Sequence, residues 1–348
     1  MELSSIITDK LQQKDVIWYS ESGGSWSLIA EQDTTQKILK DLSKHGCRET
    51  IRRNCPQFED LTFSLKRAAG VGILDFKESD IVVDVGCNWG ALSELIARTG
   101  CKVLCIDQTK ESLLFLKKRL DESGLDNVDL VCTDLRGVSF KDYSVDKFIV
   151  NGVLEWIPET INVAFKKDSI KENRSNNVLR KILNYYRDNQ SPLEIQQRFL
   201  KKLHKALKKE GLLYLAIENR FDVSFFLGFR DPHTSLRFVN ILPRFLQIPY
   251  SFLLLGRPFL TWIYSERELK KLLYSSGFSN VSIMYAYPDY RFPDLILSDK
   301  GLKDFYPCRF KNSRRKRGKI VWWFLENIFY KILRAKSLSP SFIVIAHK

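Results

Sequence analysis

The sequence predicts an α/β fold, a mostly parallel sheet with helices on both faces, and three observations carry that prediction. Apolar runs alternate with amphipathic stretches from about residue 61 to 217, the rhythm of strand and helix units in a parallel sheet. The strand-like runs end in polar residues, as expected where a binding edge lies outside the carboxyl ends of the strands. The composition, 44% hydrophobic and 28% charged over 348 residues, is that of an ordinary globular protein without repeats or low-complexity tracts.

Taken in order, residues 1–60 read as an N-terminal extension or cap, and 61–348 as one domain carrying insertions at about 160–190, 221–264 and 288–340. "LTFSLKRAAGVGIL" reads as a helix that leads into the strand "DIVVDVG". In "ALSELIAR", Leu92, Leu95 and Ile96 share one helical face. The strand "KVLCID" follows Gly100, and the helix "KESLLFLKKRLDESG" ends at Gly124, a residue suited to a C-terminal cap. Strands "NVDLVCTD" and "DKFIVNGVLEWIPE" come next. Pro192 is expected to start a helix running to about Lys209, closed by Gly211 and followed by the strand "GLLYLAIENR". Helix "SERELKKLLYSSG", strand "FSNVSIMYAYP" and the closing strand "PSFIVIAHK" complete the pattern.

The second insertion is aromatic and apolar around "ILPRFLQIPYSFLLLGRPFLTWIY". Pro243, Arg244, Pro249, Gly256, Arg257 and Pro258 interrupt it, so it lacks the ~18 to 20 unbroken apolar residues of a membrane span. It is expected to be a lid on a substrate pocket. The alternative use of 241–263 is an interfacial patch touching a lipid-linked substrate or the inner membrane face.

A net charge of +14 suits nucleic acid, acidic headgroups or an anionic metabolite, but it speaks of steering and not of chemistry. The basic runs "FLKKLHKALKK" at 199–209 and "RFKNSRRKRGK" at 309–319 read as solvated faces and an exposed loop. Seven cysteines without a C-x-x-C pair suggest neither a zinc site nor a redox dithiol, and no metal is expected. Cys101, Cys105 and Cys132 read as small core residues in a reducing compartment. The opening "MELSSIITDKLQQKD" has early acids and no apolar core, so no secretory signal is expected and the location expected is the cytoplasm.

The turn in "VVDVGCNWG" carries the chemistry. A dinucleotide fingerprint laid over Gly86, Asn88 and Ala91 lacks its middle glycine, the one that lets backbone approach a pyrophosphate. Asp84 adds negative charge where two phosphates would lie. S-adenosylmethionine removes both objections, because it has no phosphate and presents a cationic amino group and a sulfonium beside its carboxylate. Gly86 and Gly90 supply the tight turn and close approach, while Asn88 tolerates a left-handed backbone. Asp107, followed by Gln108, stands 21 positions after Gly86, about the spacing of a carboxylate that meets a ribose diol. Asp134 is placed for the adenine amine, Leu135 for its ring, and Asn151 for the methionine part. A single aspartate at a strand end is usually a turn former or helix cap. The constellation of three is the signal.

On "VVDVGCNWG", "LCIDQT", "VCTDL" and "VNGVLEWIP", the sequence resembles the class I S-adenosylmethionine-dependent methyltransferases over about residues 61–217. The resemblance implies that the first block, with Asp84, Gly86, Cys87, Asn88 and Gly90, binds the methionyl end. It implies Asp107 and Gln108 at the ribose and Asp134 at the adenine. Asn88 departs from the family's commonest glycine pattern. The implied fold is a Rossmann-like, seven-stranded, mostly parallel sheet whose last strand, "SFIVIAHK", is antiparallel.

Methyl transfer from a sulfonium is an in-line displacement, in which alignment is worth up to roughly 7 to 11 kcal/mol. For a hydroxyl acceptor, a base within hydrogen-bond reach adds about 10² to 10⁴. His233 is the first choice for that base, since its ordinary titration range suits neutral pH; a loop histidine bonded to backbone or water is the plain alternative. Glu155 is the second catalytic candidate. Glu218, Asn219 and Arg220 in "ENRF", Asp231 in "RDPHTS", and Tyr287 and Tyr290 in "YPDY" are the substrate-binding candidates. That combination is similar to methyltransferases of bacterial surface-polysaccharide and glycolipid pathways, which implies a glycan or glycolipid hydroxyl as acceptor. Two rivals are a tRNA or rRNA methyltransferase using the basic run, and a non-catalytic scaffold that binds S-adenosylmethionine.

Overall fold

A computed structural model describes residues 3–20, 32–159, 178–301 and 338–348. Ten strands form one sheet: β1 (Leu11–Lys14), β2 (Ile17–Ser20), β3 (Ile81–Val85), β4 (Lys102–Asp107), β5 (Val128–Cys132), β6 (Val145–Asn151), β7 (Leu207–Glu218), β8 (Ser279–Tyr287), β9 (Leu295–Leu297) and β10 (Ser341–His347). Their order is β1-β2-β5-β4-β3-β6-β7-β10-β8-β9. Strands β2, β5, β4, β3, β6 and β7 run parallel, and β10 is antiparallel to both β7 and β8. The stretch from β5 to β8 is the expected seven-stranded sheet. The hairpin β1-β2 at one edge and β9 at the other enlarge it.

From β3 the chain builds outward through β4 and β5, then returns to the other side of β3 for β6 and β7. Strand order therefore reverses between β3 and β6, the place where open α/β sheets leave a crevice at their carboxyl ends. The parallel register brings the ends together: Asp84 opposes Cys105 and Ile149, Asp107 opposes Cys132, and Asn151 opposes Ala216.

The helices are α1 (Gln32–His45), α2 (Cys47–Asn54), α3 (Glu59–Phe63), α4 (Ser93–Ala97), α5 (Lys110–Glu122), α6 (Val178–Asp188), α7 (Pro192–Ala206), α8 (Val223–Phe226), α9 (Arg244–Leu255) and α10 (Glu266–Ser275). Alternation along the strands sends Val82, Val103 and Ile149 to one face, with Leu113 and Leu116 of α5. It sends Val83, Leu104 and Phe148 to the other, with Leu200 and Leu203 of α7. Both faces are covered, which is why these strands read as nearly continuous apolar runs.

Helix α5 ends as its glycine predicts. Gly124 has φ 66°, the Leu125 N–H reaches the Leu120 carbonyl, and the Gly124 N–H reaches that of Asp121. Helix α7 starts at Pro192 behind a capping box of Ser191 and Glu194. It stops at Ala206, earlier than expected, because β7 begins at Leu207 and Gly211 lies inside that strand, where the register with β6 shifts. The helix expected over "LTFSLKRAAGVGIL" is instead α3 followed by two short 3-10 turns, Leu65–Ala68 and Val71–Ile73.

Residues of the N-terminal extension do two things. The β1-β2 hairpin joins the sheet beside β5. Helices α1 and α2 enclose Trp89 and Phe115 with Ile38, Leu42 and Ile51, so they cover the outer side of the glycine turn. The basic run 309–319 and most of the first and third insertions lie outside the described residues.

The 241–263 centre of the second insertion departs from its expected role as a lid, while Pro232 and His233 of the same insertion line the cavity. Phe259 and Trp262 pack with Leu236 and Val239 in a small cluster of their own. No residue of 241–263 lines the cavity described below, while Phe245, Leu253 and Leu254 of α9 are exposed. Among the described residues, no helix is long and apolar enough to cross a membrane.

Candidate functional site

A cavity of about 310 Å³ opens at the β3–β6 crevice, within the usual range of roughly 300 to 1,000 Å³ for small-molecule sites. Its lining joins the ends of β3, β4 and β6 to the loop after α8 and the segment after β8.

The glycine turn forms one wall. Gly86 has φ 70°, and a Cβ there would stand 2.6 Å from Val153 Cγ2. The Gly86 and Cys87 N–H groups both donate to the Ile106 carbonyl, fastening the turn to β4. Asn88 has φ 49°, a left-handed conformation that asparagine adopts more readily than most residues. Gly90 departs from its expected place beside the ligand: it does not line the cavity. A Cβ on it would fall 2.1 Å from Leu116 Cδ1, so this glycine exists to seat α5.

Asp84 and Asp107 both face the cavity. Asp84 accepts the Ser93 hydroxyl at 2.6 Å. Burial pushes its carboxyl up to about 6, against that hydrogen bond and with help from the nearby Asp107 charge. Asp107 accepts the backbone N–H of Asn88 at 2.9 Å and that of Thr109 at 2.8 Å. Burial raises Asp107 as well, and those backbone donors oppose the rise. Gln108, Cys87, Leu135 and Asn151 line the cavity as expected of cofactor residues.

Asp134 does not. Its carboxylate accepts the Arg136 N–H at 3.0 Å and lies 3.6 Å from Arg136 Nε, while its carbonyl accepts from Gly137 and Val138. It is a turn former absent from the cavity lining, and Leu135 alone of that pair remains.

The far wall carries Glu155, Glu218, His233 and Tyr290. Glu155 follows β6 in the 3-10 turn Leu154–Glu159, fixed from behind by Gln196 Nε2, which donates to the Leu154 and Trp262 carbonyls at 2.7 and 2.9 Å. Glu218 ends β7, and the Tyr290 hydroxyl is 3.5 Å from its Oε1. Gly152 is glycine because a Cβ there would sit 2.2 Å from the Tyr290 hydroxyl oxygen. The Trp156 ring meets His233 edge to face at 4.7 Å.

His233, the candidate base, lies in the cavity lining. Burial pulls it down, but the Asp231 hydrogen bond and the charges of Glu218, Asp231 and Glu155 outweigh burial and raise it to about 9. Glu155 is shifted upward to about 8, first by burial and then by the facing Glu218 charge.

Four substrate candidates are also displaced. Asn219 Nδ2 donates to the Ser339 carbonyl and its Oδ1 accepts from the Phe221 N–H, tying the end of β7 to the chain entering β10. Arg220 pairs with Glu268 and donates to the Asn240 and Leu242 carbonyls. Tyr287 is buried away from the cavity. Asp231 acts from behind His233, accepting from the Thr234 N–H and hydroxyl and from Asn240 Nδ2.

Sequence reasoning missed Arg67, Arg291, Trp89 and Trp156, all in the lining. Arg67 is the most telling. Its Nε and Nη1 are buried without a partner, and burial lowers it. It sits in a basic stretch with no pattern to distinguish it, and only the fold carries it to the cavity.

Residues 82–168 match the family model described as a methyltransferase domain. The chain is 36% identical over 141 residues to a probable fatty acid methyltransferase of Pseudomonas putida, covering 40% of this chain and 33% of that one. It is 34% identical over 70 residues to a ubiquinone biosynthesis O-methyltransferase of Actinobacillus pleuropneumoniae, covering 20% and 25%. A third relative, a probable (S)-tetrahydroprotoberberine N-methyltransferase of Papaver bracteatum, is 31% identical over 81 residues, covering 23% and 22%. The chain thus spans between a fifth and two fifths of the length of the curated relatives it matches. Among solved structures, the phosphoethanolamine N-methyltransferase 2 of Haemonchus contortus with S-adenosyl-L-methionine is similar at TM-score 0.45 and 12% identity, over 89% of this chain and 60% of that one. The matched segment holds the glycine turn, Asp84 and Asp107.

Proposed function

We propose that the chain binds S-adenosylmethionine in the β3–β6 cavity and transfers its methyl group to a hydroxyl-bearing small molecule held against Glu155, Glu218 and Tyr290. The observation that carries this reading is that Asp84 shares one cavity with Arg67, whose Nε and Nη1 are buried without a partner. An anion and a cation placed together match an amino acid's ammonium and carboxylate. Asn88 Oδ1 and Asn151 Oδ1 are further buried polar atoms without partners in the lining, and buried polar atoms seldom stay so unless a ligand meets them.

S-adenosylmethionine supplies a methyl group on a sulfonium, open to in-line attack. Asp107 has its backbone-facing lone pairs committed to Asn88 and Thr109, which aims the remainder at a diol. Leu135 offers an apolar surface for the base. On the acceptor side, Glu155 and Glu218 take the hydroxyl proton, His233 steadies the negative charge, and Trp156 and Ile157 exclude water. An acceptor of the glycan or glycolipid type is the class we assign. The exposed Phe245, Leu253 and Leu254 support its lipid-linked form, since a cluster of exposed apolar side chains marks a membrane or partner contact.

Equilibrium dialysis with methyl-labelled cofactor tests the first half: saturable binding is expected, weakened at least tenfold by Arg67→Gln and not by Lys66→Gln. Label entering a lipid-extractable or polysaccharide fraction of host extract is expected next. Absence of saturable binding would refute the cofactor reading, and label in RNA the acceptor reading.

A further inference from the structure

The acceptor wall holds carboxylate oxygens whose bonding capacity is unmet. Glu155 is fully buried and neither of its carboxylate oxygens has a hydrogen-bond partner; Glu218 Oε2 has none either. Among the described residues, no lysine or arginine nitrogen lies within 4.0 Å of either carboxylate. Arg291 shares the lining; it pairs with Asp289 at 3.8 Å, and the charges of Glu218 and Glu155 also act on it.

The third member of the wall is oriented from outside. His233 Nδ1 faces Asp231 Oδ1 at 3.5 Å, and Asp231 is itself held by Thr234 and Asn240. That leaves Nε2 directed at Glu155 Oε1, 4.0 Å away. A carboxylate behind an imidazole, fixing its tautomer and presenting the other nitrogen, is the usual support of a metal-binding histidine. One ligand atom from each of Glu155, Glu218 and His233 lies within 4.8 Å of the other two. Ligand bonds of about 2.1 Å set neighbouring ligand atoms roughly 3 Å apart, so the three side chains would close on the ion by about 1 to 2 Å.

We propose that Glu155, Glu218 and His233 form a divalent-cation site in the acceptor half of the cavity. Two carboxylates and one imidazole on one side leave coordination positions open toward the cavity. Such a mixed oxygen and nitrogen set suits a first-row divalent ion such as Mn²⁺. The inference deepens the acceptor half of the proposed function: a cation held by these residues would supply Lewis acidity that makes an acceptor hydroxyl more acidic. Each carboxylate retains a second oxygen, so coordination and proton acceptance are compatible.

The test uses Mn²⁺ with the full chain in the absence of any nucleoside, reading free Mn²⁺ by its paramagnetic resonance signal. One site is expected in the wild type. Glu155→Gln and Glu218→Gln each weaken it at least tenfold, and Asp231→Asn, which removes no ligand, weakens it about 10- to 100-fold. Lys66→Gln, at an exposed position outside the cavity, leaves it unchanged. Loss of binding in Asp231→Asn with an unchanged far-ultraviolet spectrum guards against a folding effect in the ligand variants. No binding below millimolar Mn²⁺, or equal binding in both glutamine variants and the wild type, overturns the proposal. Mn²⁺ binding without S-adenosylmethionine binding would refute the cofactor reading and leave the cation site standing.

Discussion

Asp107 accepts the backbone N–H of Asn88 at 2.9 Å, so the carboxylate at the end of β4 also holds the left-handed residue of the β3 turn. The cofactor wall and the turn that shapes it are one hydrogen-bonded unit. Removing either partner alters both affinity and stability.

Asp107→Ala should abolish measurable cofactor binding by calorimetry and also lower stability. The N–H groups of Asn88 and Thr109 would lose their acceptor, at about 1 to 3 kcal/mol for each buried donor left unsatisfied. Urea denaturation reads the second effect.

Asn88 separates backbone from side chain. With φ 49°, Asn88→Gly should keep stability nearly unchanged, while Asn88→Val should cost about 1 to 2 kcal/mol for the left-handed strain. Equal denaturation midpoints for the two variants would contradict this.

Gly90→Ala places a methyl 2.1 Å from Leu116 Cδ1 at φ 72°. Strain and overpacking together should cost about 2 to 4 kcal/mol. Shortening Leu116 to alanine in the same chain relieves the overpacking, so the double variant should lie above the sum of the two single losses. A double-mutant cycle measures the coupling.

Asp84 sets a pH dependence. Its carboxyl titrates near 6 when folded, above the ordinary carboxylate range, because burial disfavours the charge. The folded chain therefore holds this proton more tightly than the unfolded one. The associated stability is present below the unfolded value and is lost as pH rises through about 6. Cofactor affinity should move oppositely, falling below pH 6 as Asp84 loses the charge that meets an ammonium. Asp84→Asn should flatten both profiles, weaken the cofactor and stabilise the empty protein at pH 7.

The α/β class, the strand sequence from β3 to β7, and Asp84, Asp107 and Leu135 at the crevice were legible because each rests on local rules. Apolar runs, turn glycines and strand-end acids lie close together in the chain and keep their meaning in isolation. Asp134 shows the limit: a strand-end aspartate looks the same whether it faces a ligand or caps a turn, and only its rotation toward Arg136 decides. Glu218 and His233 were candidates from the sequence and Arg67 was not; all three come from distant segments, and packing of β7, the loop after α8 and the turn before β3 brings them to one cavity. Chain-local pattern thus determined the strand order's raw material and the glycine turn. The tertiary structure alone decided which charged groups meet across the cavity, because desolvation and mutual charge depend on distances between segments that no local spacing encodes.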